Sequence, residues 1–141
     1  MLLLLNDTLE AICSHSQREY PKECCGILLG TRESNKRTVV QIVPVKNMAK
    51  EGQNTTHFYI NPLELVQTER LAEEEGLEIV GFYHSHPDYE AVASKLDCLH
   101  MIAGYSYPIL SVIDGRCEKV NSFTKKVQTD LDVKKERIAI V

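Results

Sequence analysis

The sequence predicts a single α/β domain. Short apolar runs rich in β-branched residues alternate with longer amphipathic segments, as strands and helices do in α/β proteins. The length of 141 residues is close to that of one domain, and a content of 43% hydrophobic against 26% charged residues is enough for one buried core. Neither a repeat nor a low-complexity tract marks a second domain.

The chain is predicted to begin with a strand at residues 2–5. This apolar run lacks a basic segment and is shorter than a signal-peptide core of roughly 7–15 residues, so we expect it to belong to the domain. The other predicted elements, in chain order, are a helix at 7–19, strands at 25–30, 38–46 and near 57–60, a helix from Asn61-Pro62 to about 75, a strand at 79–84, a helix at 94–103, and strands at 108–113 and 117–123.

Turn signals separate these elements. Pro62 suits the first turn of a helix, and Gly76 suits the residue that follows its end. Thr31–Arg37 is predicted to be a polar turn, and residues 47–56 a polar loop. Asp114-Gly115 lies between two apolar runs and predicts a tight hairpin.

Two histidines at the end of a predicted strand are candidate metal ligands. In an extended chain, residues i and i+2 project to the same face, so His84 and His86 can bind one ion. Pro87 has no N–H to give to a neighbouring strand, so the strand should end there. The ligands are therefore expected beside a loop that can admit substrate.

A third candidate ligand lies on the next predicted helix. Ser94 and Asp97 open this helix, and Asp97 can turn back toward the histidine pair. Two histidines, one carboxylate and a water at the fourth position are the ligand set of catalytic zinc, whereas structural zinc usually has four protein ligands. The structural alternatives are unrelated polar residues at a strand end and a helix capping box at Ser94.

Together these residues form the pattern His-x-His-Pro-x6-Ser-x-x-Asp, through which the chain resembles the JAMM metalloproteases, also called MPN-plus or JAB-type domains. In that family a glutamate precedes the pattern, and the resemblance places it at Glu23. The compact length resembles the stand-alone prokaryotic branch. Further segments that resemble the family are Tyr20–Gly30, His57–Pro62, Gly104–Tyr107 and Leu110–Gly115.

The resemblance covers roughly residues 1–123. It implies that these residues form the metalloprotease domain and that residues 124–141 are a C-terminal extension of the same domain. The implied architecture is a curved mixed β-sheet flanked by helices, similar to the cytidine-deaminase fold.

The resemblance also implies a reaction. One zinc ion per chain, held by His84, His86 and Asp97 with a water as fourth ligand, lowers the pKa of that water and polarises a peptide carbonyl. Glu23 is the implied general base and acid, although from the residues alone Glu19, Glu78 and Glu90 are equally eligible. Ser94 is expected to donate a hydrogen bond to the oxyanion.

The implied substrate is the bond after the Gly-Gly tail of a ubiquitin-like or sulfur-carrier β-grasp protein. An extended Gly-Gly tail suits a narrow cleft in which it pairs as an added strand. We expect the loop 47–58 and the segment 103–107 to form the cleft walls.

Two other function classes compete with this one. The first is a non-catalytic MPN-type scaffold, which would have lost these ligands. The second is a related zinc hydrolase that acts on a non-protein substrate, such as a deaminase; this sequence lacks the His-x-Glu and Pro-Cys-x-x-Cys signatures of deaminases.

Charge and cysteine content favour a cytoplasmic protein. The net charge is −4 and the basic residues are scattered, so neither nucleic acid nor a membrane is the expected partner. The pairs Lys125-Lys126 and Lys134-Lys135 are predicted to be a solvated tail.

The five cysteines include no CxxC and predict no disulfide framework. Cys24 and Cys25 should alternate sides of a strand. Cys98 follows a proposed ligand, but we expect it in the core.

Overall fold

The computed structural model describes residues 1–129 and 132–141. Within these ranges the chain forms eight strands and three helices. In chain order they are β1 (Leu2–Leu4), α1 (Asn6–Glu19), β2 (Cys25–Glu33), β3 (Lys36–Val45), α2 (Pro62–Glu74), β4 (Glu78–Pro87), α3 (Lys95–His100), β5 (Tyr107–Ile113), β6 (Arg116–Thr124), β7 (Lys134–Glu136) and β8 (Ile138–Ile140). No helix among the described residues is long and apolar enough to cross a membrane.

The strands form one mixed sheet in the order β7-β6-β5-β4-β2-β3-β1-β8. β1 runs parallel to β3 and β8, and β4 runs parallel to β5, while the other neighbours are antiparallel. The two outermost strands are separated in the chain only by Arg137, so the sheet curls until its ends meet. The predicted α/β domain with a curved mixed sheet is confirmed.

Each face of the sheet has its own hydrophobic core because side chains alternate along the strands. On one face Ile27 and Phe82 pack with residues of α2. On the other, Leu28 and Tyr83 pack with residues of α1. Because β2 and β4 lie in the middle of the sheet, residues 25–30 of β2 and 80–87 of β4 are buried on both faces.

Cys24 and Cys25 lie in different cores, as the alternation predicts. Both thiols are buried, and in each case burial raises the pKa: to about 12 for Cys24, and above its ordinary value for Cys25. They are small core residues. Cys98, which was also expected in the core, is only half-buried. It lies on the short helix α3, none of whose residues is fully buried.

The capping and turn signals are confirmed. The Asn61 side chain accepts a hydrogen bond from the Leu63 N–H at 3.0 Å, which caps the N-terminus of α2. Gly76 follows the helix at φ +72°, a left-handed conformation in which glycine carries no steric cost. Asp114 and Gly115 both have positive φ, as a two-residue hairpin between β5 and β6 requires.

The predicted polar turn at Thr31–Arg37 was too long. β2 continues to Glu33 and β3 begins at Lys36, so the turn contains only Ser34 and Asn35. The polar residues do not break the strands because this end of the hairpin is exposed on both faces. Glu33 also pairs with the oppositely charged Lys36 across the two strands.

Two predicted elements near the site were wrong in type or length. Residues 57–60 form no strand; the segment is irregular and is held by hydrogen bonds such as that from the Met48 N–H to the Tyr59 carbonyl, at 2.9 Å. The helix predicted at 94–103 ends at His100, since the Ile102 N–H donates to the Tyr107 hydroxyl at 2.7 Å rather than to a helical carbonyl. Leu99 and Ile102, which suggested the longer helix, are exposed.

The prediction that the C-terminal lysine pairs form a solvated tail was wrong. Lys125 is 3% exposed, and its Nζ donates to the Cys98 carbonyl at 2.6 Å. Lys134 and Lys135 are exposed but lie in β7, which pairs with β6. The chain after residue 123 therefore contributes two strands to the sheet and a cation to the end of α3.

Gly81 lets the backbone of β4 approach the segment before β5. The Phe82 N–H donates to the Ser106 carbonyl at 2.9 Å, and a Cβ on Gly81 would meet that same carbonyl oxygen. This close approach sets the position of the second half of β4, where the histidines lie.

Candidate metal centre

The pairing of β2 with β4 brings together two parts of the sequence that carry site residues. Cys25 lies opposite His84 in the antiparallel register. The Cys24 N–H donates to the Ser85 hydroxyl at 2.8 Å, and the Ser85 N–H donates to the Cys24 carbonyl at 3.1 Å. Glu23, one residue before this contact, is therefore placed beside the histidines, although 61 residues separate Cys24 from Ser85 in the chain.

Three candidate ligand side chains converge at the end of β4. The Nε2 atoms of His84 and His86 are 3.3 Å apart; His84 Nε2 lies 3.1 Å from Asp97 Oδ1, and His86 Nε2 lies 3.1 Å from Asp97 Oδ2. Nitrogen and oxygen ligands at 2.0–2.1 Å from one tetrahedral zinc ion are separated by about 3.3 Å, which is close to each of these contacts. Two imidazoles and a carboxylate at such separations fit a zinc ion.

The hydrogen-bond pattern also calls for a cation at this point. The Nδ1–H of His86 donates to the Glu90 carbonyl at 2.7 Å, which leaves its Nε2 as an unprotonated acceptor in the neutral ring. That lone pair faces the Asp97 carboxylate and the His84 Nε2. Three electron-rich atoms at such distances repel one another unless a metal ion or a proton lies between them.

The ionisation of the site suits metal binding. Burial lowers the pKa of His84 and outweighs the neighbouring Asp97, which favours the neutral, ligating imidazole. Burial opposes the charge on Asp97, but its close contacts with His84 and His86 hold the pKa of Asp97 well below its usual range. Two neutral imidazoles and one carboxylate are donors that zinc prefers.

Asp97 is oriented by a capping box. The Ser94 hydroxyl accepts from the Asp97 N–H at 3.0 Å, and the Asp97 carboxylate accepts from the Ser94 N–H at 2.9 Å. At the other end of the helix, Lys125 binds the Cys98 carbonyl, where a cation is favourable. Because the Ser94 oxygen accepts in the cap, its hydroxyl proton remains available to donate elsewhere.

Glu23 lies next to the two imidazoles. Its carboxylate and the nitrogens of His84 and His86 are all within 4.8 Å of one another, so by proximity alone Glu23 is a further candidate ligand. That limit is looser than the contacts of 3.1 Å made by Asp97, which is why we assign the third position to Asp97. Glu23 is 2% exposed, and burial, followed by the charge of Asp97, raises its pKa to about 8.

The other candidate bases lie elsewhere. Glu78 is exposed and binds Arg32 at 3.0 Å, and Glu19 is half-exposed beside His15. Glu90 contributes its backbone carbonyl to His86, while the residue itself is exposed. Of the four glutamates weighed from the sequence, Glu23 is the one whose carboxylate joins the imidazole cluster.

Several supporting residues were not foreseen from the sequence. The ring of Phe58 stacks on His84 at 4.6 Å between centroids, and Tyr89 stacks on His86 at 4.7 Å. Asn47 donates through Nδ2 to the Glu23 and His57 carbonyls, both at 2.9 Å, and so ties the loop to the Glu23 backbone. Phe58, Tyr89 and Asn47 lie in loops, where no periodic pattern predicts their contacts. The role of Ser85 could have been inferred in part: it lies between the two histidines in the strand, so its side chain must point to the opposite face.

An apolar cavity of about 200 Å³ opens beside Glu23, His84 and Asp97. Of the loop 47–58 predicted as a cleft wall, only residues 56–58 line the cavity, and the wall continues to residue 60. Of the segment 103–107, only Tyr107 lines the cavity, and the neighbouring wall comes from Met101 and Ile102 instead. The cavity therefore borders the ligand cluster.

In the metal-free protein, the buried carboxyl of Glu23 should make stability depend on pH. Between about pH 4.5 and 8 the folded chain keeps a proton that the unfolded chain has released, so the free energy of unfolding falls as pH rises. Glu23→Gln cannot titrate. In urea titrations of chelator-treated protein, the free energy of unfolding of the variant minus that of the wild type should increase by about 1.4 kcal/mol per pH unit across this window. A difference that does not change with pH contradicts the burial of an ionisable Glu23.

Known proteins resemble this chain in sequence and in structure. The desampylase of Haloferax volcanii is 38% identical over 120 residues, which cover 82% of this chain and 83% of that protein. A probable TtuB-protein conjugate cleaving protease of Thermus thermophilus is 35% identical over 89 residues, covering 63% of this chain and 55% of that protein.

A solved structure of a Desulfitobacterium hafniense protein superposes with a TM-score of 0.85 and 28% identity, covering all of this chain and 93% of the other. Residues 5–125 match the family described as prokaryotic homologs of the JAB domain. The predicted resemblance to the stand-alone prokaryotic branch and its fold is thereby confirmed: the chain belongs to the prokaryotic JAB family.

Proposed function

We propose that this protein is a zinc-dependent (iso)peptidase that hydrolyses the bond after the Gly-Gly tail of a ubiquitin-like or sulfur-carrier protein. The observation that carries the proposal is the convergence of His84, His86 and Asp97 at 3.1–3.3 Å beside the buried carboxylate of Glu23. A metal site next to a separate base is the arrangement that hydrolysis of an amide requires.

The named relatives support the substrate class. One is a desampylase, and the other is named for cleaving TtuB-protein conjugates. Both names describe removal of a small protein from a conjugate. Since this chain shares their family and keeps every residue of the metal pattern, the same kind of partner is the simplest inference for it.

His84, His86 and Asp97 would hold the zinc. When bound there, zinc supplies a Lewis acid that acidifies water and polarises the scissile carbonyl. The chain fixes the two imidazoles through Glu90 and Phe58, and fixes Asp97 through Ser94. Such supporting contacts commonly change metal affinity by 10–100-fold when removed.

Glu23 would move the proton. Its backbone is fixed on both sides, because its N–H donates to the Asn54 carbonyl at 2.7 Å and its carbonyl accepts from Asn47. The positive charge of a bound zinc would favour the ionised form of this buried carboxyl, and a carboxylate held in this way accepts a proton from the attacking water and later delivers it to the leaving amine. Ser94 would donate a hydrogen bond from its hydroxyl to the oxyanion that forms in the transition state.

The cleft would accept the tail of the substrate. Residues 56–60 form an irregular wall of the apolar cavity and include Phe58, which touches His84. A Gly-Gly tail has no side chains to exclude and can lie along such a wall in an extended form. A non-catalytic scaffold would have no need of the buried Glu23, because burial of an ionisable group costs stability.

We expect the protein to bind one zinc per chain through His84, His86 and Asp97. His84→Ala and Asp97→Ala should each lower zinc affinity strongly because they leave two protein ligands, while His100→Ala, on the exposed surface of α3, should not. Native mass spectrometry and competition with a chromophoric chelator measure both quantities. If the two ligand variants bind zinc as well as the wild type does, the ligand assignment is wrong.

Glu23→Gln should keep zinc and lose most turnover, since the amide is nearly isosteric but cannot accept a proton. The assay follows cleavage of β-grasp proteins that carry a fluorescent peptide after Gly-Gly. Glu19→Gln, on the half-exposed end of α1, is the matched control and should stay active. Wild-type turnover in the Glu23 variant would remove Glu23 from the mechanism.

Ser94→Ala should lower turnover by roughly 10²–10³-fold at saturating substrate with little change in KM, because the bond to the oxyanion strengthens only in the transition state. Loss of the cap should also cost about 1 kcal/mol of stability. Asn61→Ala removes the cap of α2 and should cost similar stability while keeping turnover.

Ser94→Asp separates the two roles of Ser94. Aspartate can cap α3 but places negative charge where the oxyanion forms, so we expect a stable, zinc-loaded and inactive protein. An active Ser94→Asp enzyme shows that Ser94 serves the helix alone.

A further inference from the structure

Two cysteines far apart in the sequence meet on the face of the sheet opposite the metal centre. Cys13 lies on α1 and Cys117 on β6, separated by 104 residues, and their Sγ atoms are 2.6 Å apart. Both pack against the core that contains Leu28 and Tyr83. The contact belongs to neither the metal ligands nor the cavity beside them.

The backbones around this pair are already fixed. The Cys117 N–H donates to the Gln17 Oε1 at 2.9 Å, so β6 is tied to α1 one turn beyond Cys13. The Ser16 hydroxyl donates to the Cys13 carbonyl at 2.7 Å within the helix. These contacts hold the two sulfurs 2.6 Å apart, close to the disulfide bond length of about 2.05 Å.

The pair is more accessible than the other cysteine pair. Cys13 and Cys117 are both half-buried, whereas Cys24 and Cys25 are fully buried. The hydrogen bond between the two thiols lowers the pKa of Cys117 and raises that of Cys13. The contact therefore favours the thiolate of Cys117, and the thiolate is the attacking form in thiol–disulfide exchange.

We propose that Cys13 and Cys117 are a site of reversible oxidation, at which low-molecular-weight disulfides such as oxidised glutathione form an intramolecular disulfide between α1 and β6.

The reaction proceeds in two exchanges. The Cys117 thiolate attacks one sulfur of the small disulfide, forms a mixed disulfide and releases one small thiolate. Cys13 then loses its proton and attacks the Cys117 sulfur, which releases the second small thiolate and forms the Cys13–Cys117 bond. Two protein thiols are oxidised, one small disulfide is reduced, and the two small thiolates carry away the two protons.

The bond should stabilise the fold. It closes a loop of 104 residues and so restricts the unfolded chain over most of its length. We expect the melting temperature of the oxidised protein to exceed that of the reduced protein by on the order of 10 °C. Mass and melting temperature are the readouts, so the test does not depend on the proposed peptidase activity.

The experiment treats the folded wild type with oxidised glutathione and then with an alkylating reagent. Before alkylation, the bond should make the protein about 2 Da lighter than the reduced protein; after alkylation, Cys13 and Cys117 should carry neither glutathione nor alkyl group and should yield a peptide that joins them. Dithiothreitol should restore the mass and the lower melting temperature.

Cys98→Ser is the first control and should behave as the wild type does. In the second, Cys13→Ser or Cys13→Ala, Cys117 should retain one glutathione and the rise in melting temperature should disappear. The proposal is overturned if Cys13 and Cys117 in the wild type remain open to alkylation after this treatment, carry separate glutathiones, or are joined to other cysteines. It is also overturned if the cross-link forms without raising the melting temperature.

Discussion

The antiparallel pairing of β2 with β4 is the contact on which the site depends. It sets Cys25 opposite His84 and lets the Ser85 hydroxyl accept from the Cys24 N–H, so Glu23 arrives beside the histidines. A shift of this register by one residue would turn both imidazoles to the opposite face of the sheet. The two strands are buried on both faces, and this burial makes such a shift costly.

The metal centre and the Cys13–Cys117 pair lie on opposite faces of the sheet. His84 lines the cavity on the side of α2 and the irregular segment 56–60, and His86, two residues further along β4, projects to the same face of the sheet. The Cys13–Cys117 contact lies on the side of α1. α1 ends at Glu19, four residues before Glu23, so the packing of α1 on the sheet also helps to fix the position of Glu23.

Much of the fold and part of the site follow from the sequence. Strand periodicity predicts that His84 and His86 share a face, and helix periodicity predicts that Asp97 can return to them, because both arguments need only local geometry. Glu23 is beyond such reasoning: its distance from the histidines depends on which strands pair, and only the family resemblance suggested it. The meeting of Cys13 with Cys117 and the burial of Lys125 likewise depend on long-range packing. The helix at 94–103 was predicted too long because an apolar spacing at Leu99 and Ile102 does not reveal that both are exposed.

In the proposed mechanism Asp97, and not Glu23, completes the metal site, which leaves Glu23 free to move protons. A crystal structure of the zinc-loaded protein tests it most directly. We expect zinc at about 2.0–2.2 Å from the Nε2 atoms of His84 and His86 and from one Asp97 oxygen, with the Glu23 carboxylate outside the coordination shell. A zinc ion bound by the Glu23 carboxylate, or by the Cys98 thiolate in place of Asp97, would contradict this account.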